Sequence, residues 1–277
     1  MNINEIFARI DELFENKQAD KAEDYLLSCL NRAESEGRHD IIIPVCNELG
    51  GYYRATGRYE EGTPLYQKAL QSLEMLNLAN TEHHAVTLIN YGTNYAVKGE
   101  SEAALVIFSE AADIFKKLGF SEDYRLAALY NNMSIICQDT EDFDKAMDYL
   151  SKALDILNNL TDSETEIAVT YTNMAQILLN TGRFDEALSA VKKSIEIFDS
   201  VSGDSDVHYS GAIETLGRIQ LAAGEIEKAA ESWEYARKLT ARDYGCESLA
   251  YKALSDAIDK LSRDETSDES SKDEISK

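Results

Sequence analysis

One spacing, of about 42 residues, recurs along this chain and limits its possible folds more than any other feature. A row of small residues returns at steps of 42, 42, 41 and 42: Gly62, Ala104, Ala146, Ala187 and Ala229. A bulky row keeps the same register four residues later: Tyr66, Phe108, Leu150, Val191 and Trp233. A second small row lies twelve residues before the first: Gly50, Gly92, Ser134, Ala175 and Gly217. A repeat of this length indicates one supersecondary unit copied along the chain, whose neighbours must stack to bury its apolar face.

Each copy has the pattern of two helices joined by a short turn. In one copy, the side chains of Tyr171, Met174 and Leu178 follow the spacing of a single helical face. The pattern breaks at Gly182, a residue suited to the left-handed or loose backbone at a helix end. A second helical pattern begins at Phe184. We therefore predict an all-α fold built from antiparallel helix hairpins.

The repeat predicts a solenoid of about six hairpins with a capping helix. A degenerate first copy, in which Ala22 precedes Gly62 by 40 residues, is interpreted as the N-terminal cap. We expect the last helix to pack through Leu249, Ala253, Ala257 and Leu261. The predicted repeats are roughly 3–36, 40–78, 82–119, 124–160, 165–201 and 206–244, followed by the cap at 247–261, all within a solenoid of residues 1–262. Residues 263–277, rich in Asp, Glu, Ser and Thr, are predicted to form a disordered acidic tail.

The chain has only 2 prolines, and both fall within predicted helices. Pro44 follows Asp40 closely and is expected in the first turn of its helix, where the missing N–H costs little. Pro64 lies inside the second helix of its repeat, two residues after Gly62. We predict a local kink or a late helix start there.

Composition excludes several classes of function. The chain carries 27 basic and 51 acidic residues, a net charge of −24, which disfavours nucleic acids and anionic membranes and favours basic or neutral partners. The longest apolar run, residues 41–46, is far shorter than the roughly 20 residues that cross a bilayer. The N-terminus lacks the basic segment of a secretory signal, and the 4 cysteines form no CxxC pair. These features predict a cytoplasmic protein.

No motif for catalysis, metal binding or cofactor binding is present in the sequence. Nucleophile elbows, zinc-protease helices, phosphate loops, dinucleotide fingerprints and calcium loops are all missing. The four histidines fall in or beside the predicted loops and lack the ligand spacing of a zinc site: His39, His83, His84 and His208. Cys29, Cys46 and Cys137 fall at inward helix positions, where a small apolar role is expected. We predict that the chain is not an enzyme and holds no metal or cofactor.

The order of residue types within each copy narrows the family. A small residue late in the first helix is followed by a turn glycine, an aromatic residue such as Tyr59 or Phe184, and a small–bulky–small series. HEAT and armadillo repeats have a similar length, but this order resembles the tetratricopeptide repeat. The longer period and the pair Asn131–Asn132 are similar to the kinesin-light-chain-like subgroup. The resemblance covers about residues 1–245.

The resemblance implies a right-handed superhelix whose first helices line a concave surface. It also implies that Asn90, Asn132 and Asn173 contact a bound peptide. Independently of the resemblance, the residue types predict that this face is largely uncharged. Its Asn and Gln amides can donate and accept hydrogen bonds along a peptide main chain. Neighbouring apolar residues could select side chains: Ile89, Ile135, Leu179 and Leu221. The predicted partner-binding residues are Asn47, Arg54, Asn90, Thr93, Asn131, Asn132, Gln138, Asn173, Gln176 and Arg218. The alternative is that these amides solvate a helix face or bridge adjacent helices.

The leading functional hypothesis is a non-catalytic protein–protein interaction module that binds a peptide segment of a partner in its concave groove. Two alternatives stay open: a peptide-sensing regulatory protein without its own DNA-binding domain, and a scaffold subunit of a multi-protein enzyme. No nucleic acid or membrane partner is expected, and the oligomeric state is open. Replacing Asn90, Asn132 and Asn173 with Ala is expected to weaken binding and to leave the helical melt nearly unchanged.

Overall fold

The computed structural model describes residues 2–16 and 18–261, and within them all regular secondary structure is helical. The helices are α1 (Ile3–Glu15), α2 (Ala19–Ser35), α3 (His39–Ala55), α4 (Tyr59–Met75), α5 (Glu82–Val97), α6 (Ser101–Lys117), α7 (Tyr124–Asp139), α8 (Phe143–Leu157), α9 (Glu164–Asn180), α10 (Phe184–Val201), α11 (Tyr209–Ala222), α12 (Ile226–Tyr244) and α13 (249–261), with a 3-10 turn at Gly203–Ser205. Consecutive helices pack as six hairpins, from α1/α2 to α11/α12. The predicted all-α hairpin architecture is confirmed, whereas the tail predicted at 263–277 lies outside the described residues.

One left-handed residue closes the turn inside each of the last five hairpins. Four of these residues are glycines with φ between 74° and 80°: Gly57, Gly99, Gly182 and Gly224. The backbone N–H of Arg183, after Gly182, donates to the Leu178 carbonyl at 2.8 Å, and the other turns repeat this bond. It satisfies a carbonyl that the end of the helix leaves free. In the α7/α8 turn the same place is taken by Glu141, with φ 59°.

The small and bulky rows are buried as predicted, and they pack against each other inside the hairpins. Each bulky residue lies sixteen positions after a small residue of the first helix. A Cβ atom built on Gly92 would lie 2.5 Å from Phe108 Cε1. The pairs Gly50–Tyr66 and Gly217–Trp233 are equally tight, at 2.6 and 2.5 Å. Where the bulky residue is Leu150 or Val191, the residue sixteen positions earlier is Ser134 or Ala175.

The chain forms two compact units, which divide after Ser121. In the first unit, an apolar core joins α1 to α4 through residues such as Ile10, Leu26 and Leu49. The second unit contains a cluster around Ala187 and another that includes Phe198, Trp233 and Leu254. The single solenoid domain of residues 1–262 stays a prediction. Across the described residues, no helix combines the length and the apolar character that a membrane span requires.

The prediction for Pro44 is wrong, and one of the two alternatives predicted for Pro64 is wrong as well. Helix α3 begins at His39, so Pro44 is its sixth residue and lies in the second turn, not the first. Helix α4 begins at Tyr59 and runs through Pro64 to Met75, so the late helix start is wrong. A proline at the sixth position removes a single backbone bond, to the carbonyl four residues earlier, and the rest of the helix retains its own bonds.

The packing face predicted for the last helix is also wrong in part. Helix α13 starts at Leu249, which is 87 % exposed, and Ala253 is exposed as well. Leu254 and Ile258 are the buried residues, packed on the core of the second unit, with Ala257 and Leu261 at the edge of the contact. Leu254 and Ile258, one helical turn apart, remove more apolar surface from water than the predicted face, which is centred on Ala253 and Ala257. This difference explains why the helix turns Leu254 and Ile258 toward the core.

Candidate functional site

Within the first unit, α3 and α5 are joined by a hydrogen-bonded triad of Asn47, Thr87 and Asn90. The Nδ2 atom of Asn47 donates to Thr87 Oγ1 at 3.0 Å, and Asn90 Nδ2 donates to Asn47 Oδ1 at 3.2 Å. Thr87 is buried, and its hydroxyl donates to the His83 carbonyl at 2.9 Å. The triad therefore ties two successive first helices together through half-buried amides.

The second unit repeats this triad between α7 and α9. Asn131 Nδ2 donates to Thr170 Oγ1 at 3.0 Å, and Asn173 Nδ2 donates to Asn131 Oδ1 at 3.1 Å. One turn later, Gln176 Nε2 donates to Thr215 Oγ1 at 3.1 Å and so links α9 to α11. The same amide–hydroxyl contact thus recurs between three pairs of first helices.

Five of the predicted partner-binding residues therefore bridge adjacent helices, as the alternative interpretation holds: Asn47, Asn90, Asn131, Asn173 and Gln176. The expectation of an unchanged helical melt in the triple variant does not fit these bonds, because Asn90 and Asn173 each connect two helices. Among the described residues, no hydrogen bond reaches Oδ1 of Asn90 or Asn173. These two oxygens are open acceptors, and contact with a peptide stays a prediction.

Three other predicted residues have no side-chain hydrogen bond to another helix within the described part of the chain. Asn132 is exposed on α7, and neither Asn132 nor Gln138 bonds to another described residue through its side chain. Thr93 is half-buried, and its hydroxyl donates to the Ile89 carbonyl of its own helix at 2.8 Å. Asn132 and Gln138 keep their full capacity for hydrogen bonds to a ligand.

The two predicted arginines have different surroundings. Arg54, in the first unit, donates through Nη1 to the Tyr66 hydroxyl at 3.1 Å and to the Asn90 carbonyl at 3.4 Å. Arg218, in the second unit, is half-buried on α11, one helical turn after Glu214. Arg54 thus supports the hairpin packing, whereas Arg218 faces a hollow described below.

The first unit contains a hollow of about 510 Å³ between α1, α3 and α5, which we call the Glu48 hollow. Its lining is mostly apolar and includes Ile3, Phe7, Ile43, Pro44 and Val86, together with Glu48 and the amides of Asn47 and Asn90. Burial raises the pKa of Glu48, and the negative charge of Asp11 on α1 raises it further. The hollow therefore offers an apolar surface, two amides and one half-buried carboxylate.

The second unit contains a hollow of about 480 Å³ between α9, α11, α12 and α13, which we call the Glu214 hollow. It is lined by Leu179, Leu221, Trp233, Leu254, Glu214 and Arg218 among others. Burial raises the pKa of Glu214, and the positive charge of Arg218 opposes that rise. The indole Nε1 of Trp233 donates to the Glu214 carbonyl at 3.1 Å.

The structure also adds residues that sequence reasoning missed. Glu48 and Glu214 line the hollows but were not selected, and the three bridging threonines were not recognised. A signal for the threonines exists, because each follows its amide partner by 39 or 40 residues: Asn47–Thr87, Asn131–Thr170 and Gln176–Thr215. This is close to the repeat length, as expected for contacts between successive copies.

The described residues include three buried cysteines and one exposed cysteine, Cys246. Within residues 2–16 and 18–261, no group of three or more His, Cys, Asp or Glu side chains could hold a metal ion. Cys29, Cys46 and Cys137 are buried as predicted, and burial raises the pKa of the Cys46 thiol to about 12. His39 contacts Ser72 Oγ at 3.1 Å, so it is not simply solvated.

Comparison with protein families decides what kind of repeat this is. The profile described as "Tetratricopeptide repeat" matches residues 41–117, 83–159 and 166–251. The chain belongs to this family. Tetratricopeptide repeat domains generally bind proteins. No curated protein matches the sequence of this tetratricopeptide repeat protein.

Several solved structures are similar to that of this tetratricopeptide repeat protein. BtubC (BKLC) from P. vanneervenii is 20% identical, with a TM-score of 0.68 over 82% of this chain and 92% of that chain. Repeats of a putative kinesin light chain from Podosopora anserina are 16% identical, with a TM-score of 0.59 over 73% of this chain and 96% of that chain. The quorum sensor NprR from B. thuringiensis, in its apo form, is 14% identical, with a TM-score of 0.70 over 90% of this chain and 67% of that chain. At these identities the likeness concerns the fold alone.

Proposed function

We propose that this tetratricopeptide repeat protein binds an extended peptide segment of another protein along its first helices. The observation that carries the proposal is the Glu48 hollow, in which apolar side chains from α1, α3 and α5 surround the amides of Asn47 and Asn90. Apolar surface with a few fixed polar groups is the usual composition of a ligand site. The Oδ1 atom of Asn90 is free to accept a main-chain N–H of the peptide.

The proposal also covers catalysis and cellular location. The protein acts without catalysis of its own, and its buried free cysteines fit a reducing, cytoplasmic compartment. A related observation comes from NprR in complex with its cognate peptide NprX, a structure that is 14% identical to this chain with a TM-score of 0.61. It supports a peptide as the class of ligand.

The test is to fill each hollow and to measure which partners are lost. Val86→Trp places a large ring in the Glu48 hollow, and Ala253→Trp does the same in the Glu214 hollow. Full-length protein is used to capture partners from extracts of the native cell, and cross-linked peptides are then mapped by mass spectrometry. We expect at least one filled variant to lose a partner that the unaltered protein captures.

Val106→Trp on α6 is the matched control, because Val106 is 70 % exposed and lines neither hollow. Circular dichroism checks that all three variants keep their helices. Equal capture by the unaltered protein, both filled variants and the control would place the binding surface elsewhere and refute the proposal.

A peptide sensor is the second candidate, and the similarity to NprR favours it. In a sensor, a short peptide changes the dimensions of the protein, whereas a binding module keeps them. Small-angle scattering of the protein with and without a bound peptide separates the two. A decrease in the radius of gyration on binding supports the sensor, and an unchanged radius supports the binding module.

A further inference from the structure

The Glu48 hollow has an uncompensated negative charge. Glu48 is half-buried, and among the described residues its carboxylate has no hydrogen bond or ion pair. The other carboxylate of the lining, Asp40, is already paired with Arg38 at 2.7 Å. Among the described residues, no Lys or Arg lines the hollow, and His83 is its only basic residue. Glu48 is therefore the one lining carboxylate that lacks a partner.

The second unit provides an internal comparison. Glu214 is also a half-buried glutamate at the edge of an apolar hollow of similar volume. Its hollow, however, includes Arg218, whose positive charge acts on Glu214. The lining of the Glu214 hollow thus includes a cationic side chain, whereas the described lining of the Glu48 hollow includes no Lys or Arg.

Removing a carboxylate from water without a partner destabilises a fold, so the arrangement in the first unit suits a ligand that brings the missing charge. The apolar lining adds a second requirement. Lys and Arg side chains fulfil both conditions, because they carry a cation at the end of an aliphatic stem that packs against apolar surface. The charge of the whole chain, −24, favours the approach of such a ligand.

We propose that the Glu48 hollow binds a Lys or Arg side chain of the peptide, with the cation on the Glu48 carboxylate and the stem against Phe7, Ile43 and Pro44. This inference rests on the proposed function and adds the chemistry of the peptide to it. An adjacent apolar side chain of the peptide packs against Ile3 and Val86. The partner segment therefore combines a basic residue with an aliphatic or aromatic neighbour.

A peptide array tests this inference on the full-length protein. The array holds four sets of random peptides, matched in length and apolar content. The sets carry Lys, Arg, Gln or Glu at a fixed central position. We expect the unaltered protein to prefer the Lys and Arg sets. Glu48→Gln should reduce that preference by roughly tenfold, the usual effect of losing a charged hydrogen bond.

Glu110→Gln is the matched control, because it removes the same charge from the exposed face of α6 and lines neither hollow. It should keep the preference for Lys and Arg. Equal losses in Glu48→Gln and Glu110→Gln would mean that the net charge alone attracts basic peptides, and would overturn the inference. Binding without any preference among the four sets would overturn it as well, yet leave the proposed function intact. Binding to none of the sets would count against the proposed function itself.

Discussion

At the scale of single residues, the size of one side chain decides the identity of another sixteen positions earlier. Aromatic residues at 66, 108 and 233 face glycine, whereas aliphatic residues at 150 and 191 are matched by Ser134 and Ala175. The ring takes the space in which a Cβ atom would otherwise lie. Glycine in these helices is therefore required by packing rather than by backbone conformation.

The first prediction tests this pairing. Gly92→Ala should destabilise the protein by about 1–3 kcal/mol, because the new methyl group overlaps the ring of Phe108 and overpacking outweighs the better helix propensity of Ala. Adding Phe108→Val should recover much of the loss, since it copies the pair Ala175–Val191. Urea unfolding measures both changes.

Gly51→Ala is the control for Gly92→Ala. Nothing lies within 4 Å of a Cβ atom at position 51, so this substitution on α3 should stabilise the protein by up to about 1 kcal/mol. The same sign of effect at positions 51 and 92 would contradict the pairing.

The second prediction concerns the protonation of Glu48. Its pKa in the folded protein is raised, so its contribution to stability is full below the pKa of the unfolded chain and is lost as the pH rises through the folded value. At neutral pH, Glu48→Gln should therefore increase the free energy of unfolding, and the gain should disappear in acid.

Glu110→Gln, on the exposed face of α6, makes the same change in net charge and serves as the reference. Equal stabilisation by the two substitutions at neutral pH would assign the effect to net charge and not to the burial of Glu48. Glu48→Gln is thus expected to increase stability and to weaken binding. Such a trade-off between stability and function is typical of residues in a binding site.

At the scale of helices, the sequence predicted the hairpins well because their packing depends on nearest neighbours in each copy. The sequence predicted the packing of the last helix less well. Helix α13 lies outside the copies that share the 42-residue register, so the repeat does not fix its orientation. That orientation depends on which side chains cover the core of the second unit, and Leu254 and Ile258 cover more than Leu249 and Ala253. Pro44 was predicted in the wrong turn because its turn depends on the residue at which α3 begins.

The candidate site was predicted only in part for a related reason. The position of an amide on a helix face follows from periodicity, but its hydrogen-bond partner lies on another helix. Asn131 and Asn132 are identical in type and adjacent in sequence, yet one bridges two helices and the other is exposed. Adjacent residues on a helix point about 100° apart, so Asn131 reaches Thr170 on α9 and Asn132 does not.

The third prediction uses this adjacent pair. Asn131→Ala removes the bonds to Thr170 and Asn173 and should cost about 1–2 kcal/mol of stability. Asn132→Ala should change stability by less than about 0.5 kcal/mol. Urea unfolding of both variants gives the comparison, and equal effects would mean that the triads contribute little.

At the scale of the whole molecule, charge repulsion opposes folding. Acidic residues outnumber basic residues by 51 − 27 = 24. Such an excess destabilises a compact state, and salt screens the repulsion.

The fourth prediction follows from this excess. Raising NaCl from about 0.01 M to about 1 M shortens the Debye length from about 30 Å to about 3 Å and should raise the Tm. Exposed ion pairs such as Lys152–Asp148 weaken in the same range, but they contribute little individually. Scanning calorimetry gives the Tm, with choline chloride in place of NaCl to separate screening from sodium binding. A lower Tm at high salt would refute the prediction.

Trp233 is the only tryptophan of the chain, and its position makes it an intrinsic fluorescence reporter. The indole borders the Glu214 hollow beside α13, whereas the Glu48 hollow has no tryptophan in its lining. A ligand that enters the Glu214 hollow, or a displacement of α13, should shift the emission of this ring. A ligand confined to the Glu48 hollow should leave the spectrum unchanged, so one unlabelled titration can tell which of the two hollows is occupied.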